Sequence, residues 1–145
     1  MIVLTGATGD LGGLVASKLL EKGFCVRLSS TSKKALEKRF GKSEKNRKEL
    51  FELDFEKNCD FEELTKNADV VIHLAGQMTR HLPLNDARAI PSRIVNVNFK
   101  ATKHLVESAK KSGVEKIVFS SSCSVTEKNT IQPIRWHRRL LKPTA

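Results

Sequence analysis

The 145-residue chain is 39% hydrophobic, 29% charged and 6% aromatic, which suits one packed domain rather than a disordered chain. It has no run of about 18 apolar residues, which argues against a membrane span, and Met1 to Gly13 lacks the basic start of a secretory signal. Three cysteines (Cys25, Cys59, Cys123) without Cys-x-x-Cys spacing argue against a disulfide framework or metal site, and for a reduced, cytoplasmic setting. Most of the net charge of +10 falls in two segments, 33–49 and 126–145. Such basic runs are more often solvated faces than phosphate-binding surfaces.

In chain order, Ile2-Val3-Leu4 reads as a short buried strand ending at Gly6. Asp10 to Lys22 reads as a helix, with Leu11, Leu14, Val15, Leu19 and Leu20 as its apolar stripe and Gly23 as its stop. A second strand is expected over Cys25-Val26-Arg27-Leu28, a helix over 33–40, a charged loop over 41–49 and a third strand over Leu50 to Leu53. A short helix follows from Asp60 to Asn67, then the clearest buried strand, Val70 to Ala75. Beyond a polar loop, a long helix is expected from about Pro91 to Lys111, buried along Ile94, Val97, Ala101, Leu105 and Ala109. Gly113 ends it and Ile117-Val118-Phe119 forms a fifth strand, whereas the last twenty residues show no period. Alternating strands and helices predict an α/β parallel sheet covered on both faces.

Gly6-Ala7-Thr8-Gly9-Asp10-Leu11-Gly12 sets three glycines at intervals of three between a strand and a helix. The chemistry requires each of them: a tight turn, close backbone approach to a pyrophosphate, and close helix-to-strand packing. Free amides at the helix start then bind the phosphate charge. After the second strand an acid would hold ribose hydroxyls and favour NAD. Here Arg27-Leu28-Ser29-Ser30-Thr31-Ser32-Lys33-Lys34 contains no acid, so hydroxyls such as that of Ser30, with Lys33 or Lys34, are candidates for a 2′-phosphate, and NADP is favoured over NAD.

With these residues the chain resembles the NAD-dependent epimerase/dehydratase group of the extended short-chain dehydrogenase/reductase superfamily. Thr5 to Gly12 is similar to its glycine motif, and Leu53-Asp54-Phe55 to the segment whose aspartate contacts adenine. His73-Leu74-Ala75-Gly76 resembles the motif that ends the fourth strand against the cofactor. Asn98-Phe99-Lys100-Ala101-Thr102 is similar to Asn-x-x-Gly-Thr with Ala101 for glycine, and Ser120-Ser121-Ser122-Cys123-Ser124-Val125 to the serine segment. The resemblance implies a Rossmann-type, doubly wound sheet of order 3-2-1-4-5 over residues 1–125. It also implies cofactor contacts from Gly6, Thr8, Gly9, Asp10, Leu11, Gly12, Ser30, Lys33, Asp54, Phe55, Leu74, Ala75, Gly76, Asn98, Ser120 and Ser121. Ser122 would orient substrate, and Asn98 would bond helix backbone and water near the active site.

Members of this group move a hydride between a substrate carbon and nicotinamide, with a tyrosine as base, its pKa lowered by a nearby lysine in Tyr-x-x-x-Lys. This chain has no tyrosine, and after Val125 it reads Thr126-Glu127 where the family reads Tyr-Gly. The expectation is therefore the cofactor-binding half alone, truncated after the fifth strand, with a basic tail over 126–145 in place of the catalytic helix. Truncation, different splicing, a shifted frame or excision would each produce it. His81 and His137 are conceivable substitute bases without support from spacing. The parent activity would act on a hydroxylated small molecule such as a nucleotide sugar, with little turnover by this chain. The alternative is a non-catalytic protein that senses dinucleotide or binds a partner, with self-association at an exposed sheet edge. Nucleic acid is disfavoured as a partner because only Trp136 offers an aromatic within a basic stretch.

Overall fold

The structure is a computed structural model that describes residues 1–41, 47–57, 59–78 and 92–121. Five parallel strands form one sheet in the order β3-β2-β1-β4-β5, as expected from the sequence. They are β1 (Ile2–Thr5), β2 (Val26–Ser30), β3 (Lys48–Glu52), β4 (Val70–His73) and β5 (Lys116–Phe119). Helices α1 (Asp10–Glu21), α2 (Lys33–Phe40) and α3 (Phe61–Thr65) connect the first four strands, and α4 (residues 92–111) precedes the fifth.

Two apolar layers enclose the sheet. Leu4, Ala16, Val26, Leu28, Leu36 and Phe40 pack on the α1/α2 side, and Val3, Phe55, Leu64, Val71, Leu105 and Ala109 on the α3/α4 side. The α4 stripe is seated largely as its period predicts, with Val97, Ala101, Leu105 and Ala109 buried. The α1 stripe holds in part: Val15, Leu19 and Leu20 pack against the core, but Leu11 and Leu14 are 56% and 66% exposed, and Gly12, Gly13 and Ala16 are the buried residues of the helix. Close approach explains the departure at the first turns, because a Cβ at Gly12 would strike the Gly6 carbonyl oxygen, leaving no room for a leucine against the sheet.

Strand limits shift at the edges. β2 starts at Val26, not Cys25, and runs on through Ser29 and Ser30, which pair with Phe51 and Glu52. β3 starts two residues earlier than expected and ends one earlier, because Lys48 and Glu49 find partners in Val26 and Arg27 along β2. β4 stops at His73, so Leu74 to Gly76 leave the sheet as an extended exit segment. Within α4, Val95–Ala101 is wound as a π-helix between the α-helical Ser92–Ile94 and Thr102–Lys111. Such widened turns often mark functional sites.

Arg27, within β2, is almost fully buried. Its Nε donates to Glu49 Oε2 (2.6 Å), and its Nη1 donates to the carbonyls of Glu63 (3.0 Å), Leu64 (2.7 Å) and Lys66 (2.9 Å). The guanidinium thus caps the C-terminal end of α3, satisfying carbonyls that a helix end leaves unpaired. It is a staple between sheet and helix.

Candidate functional site

The turn after β1 is built from backbone. Gly6 has φ of +73°, and a Cβ there would lie 2.8 Å from the Ala75 nitrogen, so β1's exit and β4's exit touch main chain to main chain. The Gly9 amide donates to the Gly6 carbonyl (3.0 Å), and the Gly13 amide to the Gly9 carbonyl (2.8 Å), which starts α1. No side chain caps that start. The first-turn amides of Asp10 and Leu11 therefore point outward with the positive end of the helix dipole, the arrangement that receives a phosphate.

Behind the turn stands a buried polar clasp. Thr5 Oγ1 lies 2.7 Å from His73 Nδ1 and accepts from the Ala75 amide (3.2 Å), while His73 Nε2 lies 2.9 Å from Thr102 Oγ1. Both nitrogens of the neutral imidazole thereby have a hydroxyl partner, one ring nitrogen donating and the other accepting. The ring is stacked between Phe55 (centroids 5.6 Å apart) and Phe119 (5.5 Å). Burial lowers the His73 pKa to about 4, so the ring stays neutral at physiological pH. His73 links β1, β4 and α4 as a buried histidine whose two nitrogens are both paired.

Two adjoining cavities open above the C-terminal ends of the strands, where ligands of open α/β sheets bind. One, of about 300 Å³, is lined by Gly6, Thr8, Gly9, Ser30, Thr31, Asp54, Phe55 and the exit segment Leu74 to Gln77, together with Glu56, Arg93 and Val97. The other, of about 610 Å³, shares Leu74 to Gln77 and adds Met78, Asn98, Thr102, Phe119, Ser120 and Ser121. A groove of about 500 Å³ between α3 and α4 gathers Cys59, His104 and Lys111 among others, but none of the sequence motifs.

The sequence candidates are thus largely brought together. Gly12 acts beneath the turn as a spacer; Asp10 and Leu11 sit at the first turn of α1, outside both cavity walls. Lys33 is exposed at the start of α2, where its backbone amide donates to Glu52 Oε2 (2.8 Å). Asp54 uses Oδ1 to accept from the Glu56 amide (3.0 Å), so it both shapes its own turn and lines the cavity. Ser122, His81 and His137 lie outside the described residues.

Asn98 sits in the π-helical turn, and its side chain clasps one residue: Oδ1 accepts from the Gln77 amide (2.7 Å) and Nδ2 donates to the Gln77 carbonyl (2.8 Å). Its amide thereby holds the exit segment of β4 to the helix. Three further features were missed from the sequence: the Arg93–Glu56 ion pair (2.8 Å) at the first cavity, the hydroxyl pair Thr8–Ser30 (2.7 Å), and Arg39 against the glycine turn. Each joins residues far apart in the chain, and neither charge nor spacing signals such pairs.

The description "NAD dependent epimerase/dehydratase family" belongs to a family model that matches residues 2–143. The chain belongs to this family. A UDP-glucose 4-epimerase of Vibrio cholerae is 35% identical over 133 residues, covering 90% of this chain and 37% of its own length. A uronate dehydrogenase of Pseudomonas putida is 28% identical, covering 83% of this chain and 40% of its own length. Among solved structures, a short-chain dehydrogenase/reductase superfamily protein of Agrobacterium tumefaciens with bound NAD has a TM-score of 0.64 at 25% identity, over 84% of this chain and 32% of that one. A UDP-glucose-4-epimerase of Stenotrophomonas maltophila shares the fold at a TM-score of 0.68 and 20% identity, over 86% of this chain and 37% of that one. This epimerase/dehydratase family chain therefore spans about two fifths of the length of the curated relatives it matches. Among the described residues, no helix is long and apolar enough to cross a membrane.

Proposed function

We propose that this chain is the dinucleotide-binding part of a family oxidoreductase acting on a hydroxylated substrate such as a nucleotide sugar, and that it prefers NADP to NAD. The observation that carries the reading is the main-chain contact of Gly6 with Ala75. It brings the glycine turn, the β2 end, Asp54 and the exit of β4 around one cavity beside the open start of α1. If a dinucleotide is held there, those outward amides meet its pyrophosphate and the second cavity takes its nicotinamide end. The bound cofactor supplies a hydride acceptor or donor at the ring. The chain's own residues position it: Gly6 and Gly12 allow the approach, Asn98 fixes the exit segment, and Ser120 and Ser121 line the substrate side.

Residues 1–125 carry this role in a cytoplasmic setting. The absence of tyrosine from the sequence leaves the chain without the family's base, so the expected turnover is small. Titration with NADPH and NADH, followed by nicotinamide fluorescence, is the direct test. Saturable binding with NADPH the tighter is expected; failure of a folded sample to bind either one overturns the reading.

A second reading, a dinucleotide-sensing or partner-binding protein, is favoured by the exposed apolar side chains of β5, with Val118 at 47% and Phe119 at 53%. Edge strands of this kind pair readily with other chains, which makes self-association the expected behaviour. Binding without turnover on a panel of nucleotide sugars would select this second reading.

A further inference from the structure

The surroundings of Thr8 carry more than a glycine turn requires. From α2, Arg39 reaches the glycine turn, where its Nη1 donates to the carbonyls of Thr8 (2.9 Å) and Gly9 (3.2 Å). Its guanidinium occupies the space where a Cβ on residue 13 would stand, so Gly13 leaves the slot that seats it. No carboxylate pairs with Arg39 among the described residues; the two backbone carbonyls and the Phe40 ring, 5.8 Å from its Cζ, hold it in place. On the other side of Thr8, its hydroxyl meets that of Ser30 at 2.7 Å. Thr8 thus has a cation on its carbonyl and the Ser30 hydroxyl on its side chain, and Thr8 and Ser30 both line the first cavity.

The nearest acidic side chain on β3 does not take the role of a ribose-binding acid. Glu52 Oε2 accepts from the Lys33 amide (2.8 Å) and so serves the start of α2, whose Ser32 side chain accepts from Ala35 in the same turn. The end of β2 consequently presents hydroxyls, and the charge in reach of Thr8 is positive.

We propose, resting on the dinucleotide reading above, that Arg39 is the specificity-determining residue of this site and, with Thr8 and Ser30, receives the 2′-phosphate of NADP. A guanidinium presents several donors in a fixed plane and retains its charge at all physiological pH values, so it can serve the loop carbonyls and a phosphate together. NAD, which carries a hydroxyl at that position, would gain nothing from the same charge.

The test is a pair of titrations, NADPH and NADH, on the wild-type chain and on Arg39→Gln and Arg39→Lys, with 2′,5′-ADP as a competitor that carries the phosphate without nicotinamide. Removing one charge-assisted contact is expected to weaken NADPH and 2′,5′-ADP by about tenfold or more while NADH changes by less than about twofold. Arg39→Lys is expected to recover part of the loss. Wild-type affinities that are equal for NADPH and NADH overturn the assignment. So does an Arg39→Gln variant that weakens both alike, which would make Arg39 a support of the turn only. In either case dinucleotide binding itself survives. If the wild-type chain binds neither dinucleotide, the parent reading fails and the assignment fails with it.

Discussion

Protonation of His73 is the perturbation with the best-defined size. The ring is neutral in the folded chain, with a pKa of about 4 against 6.5 for the free side chain, and its two nitrogens are paired with the hydroxyls of Thr5 and Thr102. A group whose folded pKa is lowered binds fewer protons folded than unfolded between those two values. Stability therefore rises with pH across that window, and is lost as the pH falls from 6.5 towards 4. Integrating the two titrations gives a loss of about 2 kcal/mol at about pH 5 and about 3 kcal/mol near pH 4. Carboxylates titrate over part of the same range, so the measurement is a difference. Urea unfolding of the wild-type chain and of His73→Phe is followed from about pH 7.5 to about pH 4. At neutral pH the variant should be less stable by about 1 to 3 kcal/mol, because Thr5 and Thr102 lose their shared partner inside the protein. The gap should close, or reverse, as the solution is acidified. A gap that holds constant over the whole range would refute the neutral clasp.

The remaining expectations concern single contacts. Arg27→Met leaves the carbonyls of Glu63, Leu64 and Lys66 without their donor and should lower stability by about 3 kcal/mol, read from the urea midpoint. Gly12→Val places carbon where the Gly6 carbonyl stands; it should abolish dinucleotide binding and cost about 1 to 3 kcal/mol or more, seen by titration and thermal melting. Asn98→Ala frees the Gln77 backbone and should cost about 1 to 2 kcal/mol, with faster amide exchange at Gln77 and unchanged exchange in β1 as the signature.

What was legible in the sequence follows from how local each signal is. The strands β1 and β4 are short apolar runs with glycine or polar limits, and the α4 stripe repeats at helical spacing, so burial and period agree. Around α1 the same rule holds for Val15, Leu19 and Leu20 and fails for Leu11 and Leu14, because the face against the sheet at the first turns is chosen by size. Gly12 and Ala16 fit under the turn and Leu14 does not. The gathering of Gly6, Ser30, Asp54 and Ala75 at one cavity was legible through motif order. The contacts of Arg39 with Thr8 and of Arg93 with Glu56 were not, since each depends on tertiary placement of long side chains over many residues. The π-helical turn was equally hidden: Val95–Ala101 has no composition that distinguishes it from an α-helix.

The Thr5–His73 clasp also bears on the order in which the chain assembles. β1 and β2 can pair across the single helix α1, whereas Thr5 and His73 are 68 residues apart in sequence. Closing a loop of that length costs roughly 4 kcal/mol in chain entropy, so the contact forms only when β4 and its packing are ready to offset it. The floor of the glycine turn, the Ala75 backbone against Gly6, arrives with the same strand. A phosphate site that looks like a property of the first dozen residues is thus completed by a segment made much later, and a nascent chain holding only β1, α1 and β2 has the turn without its floor.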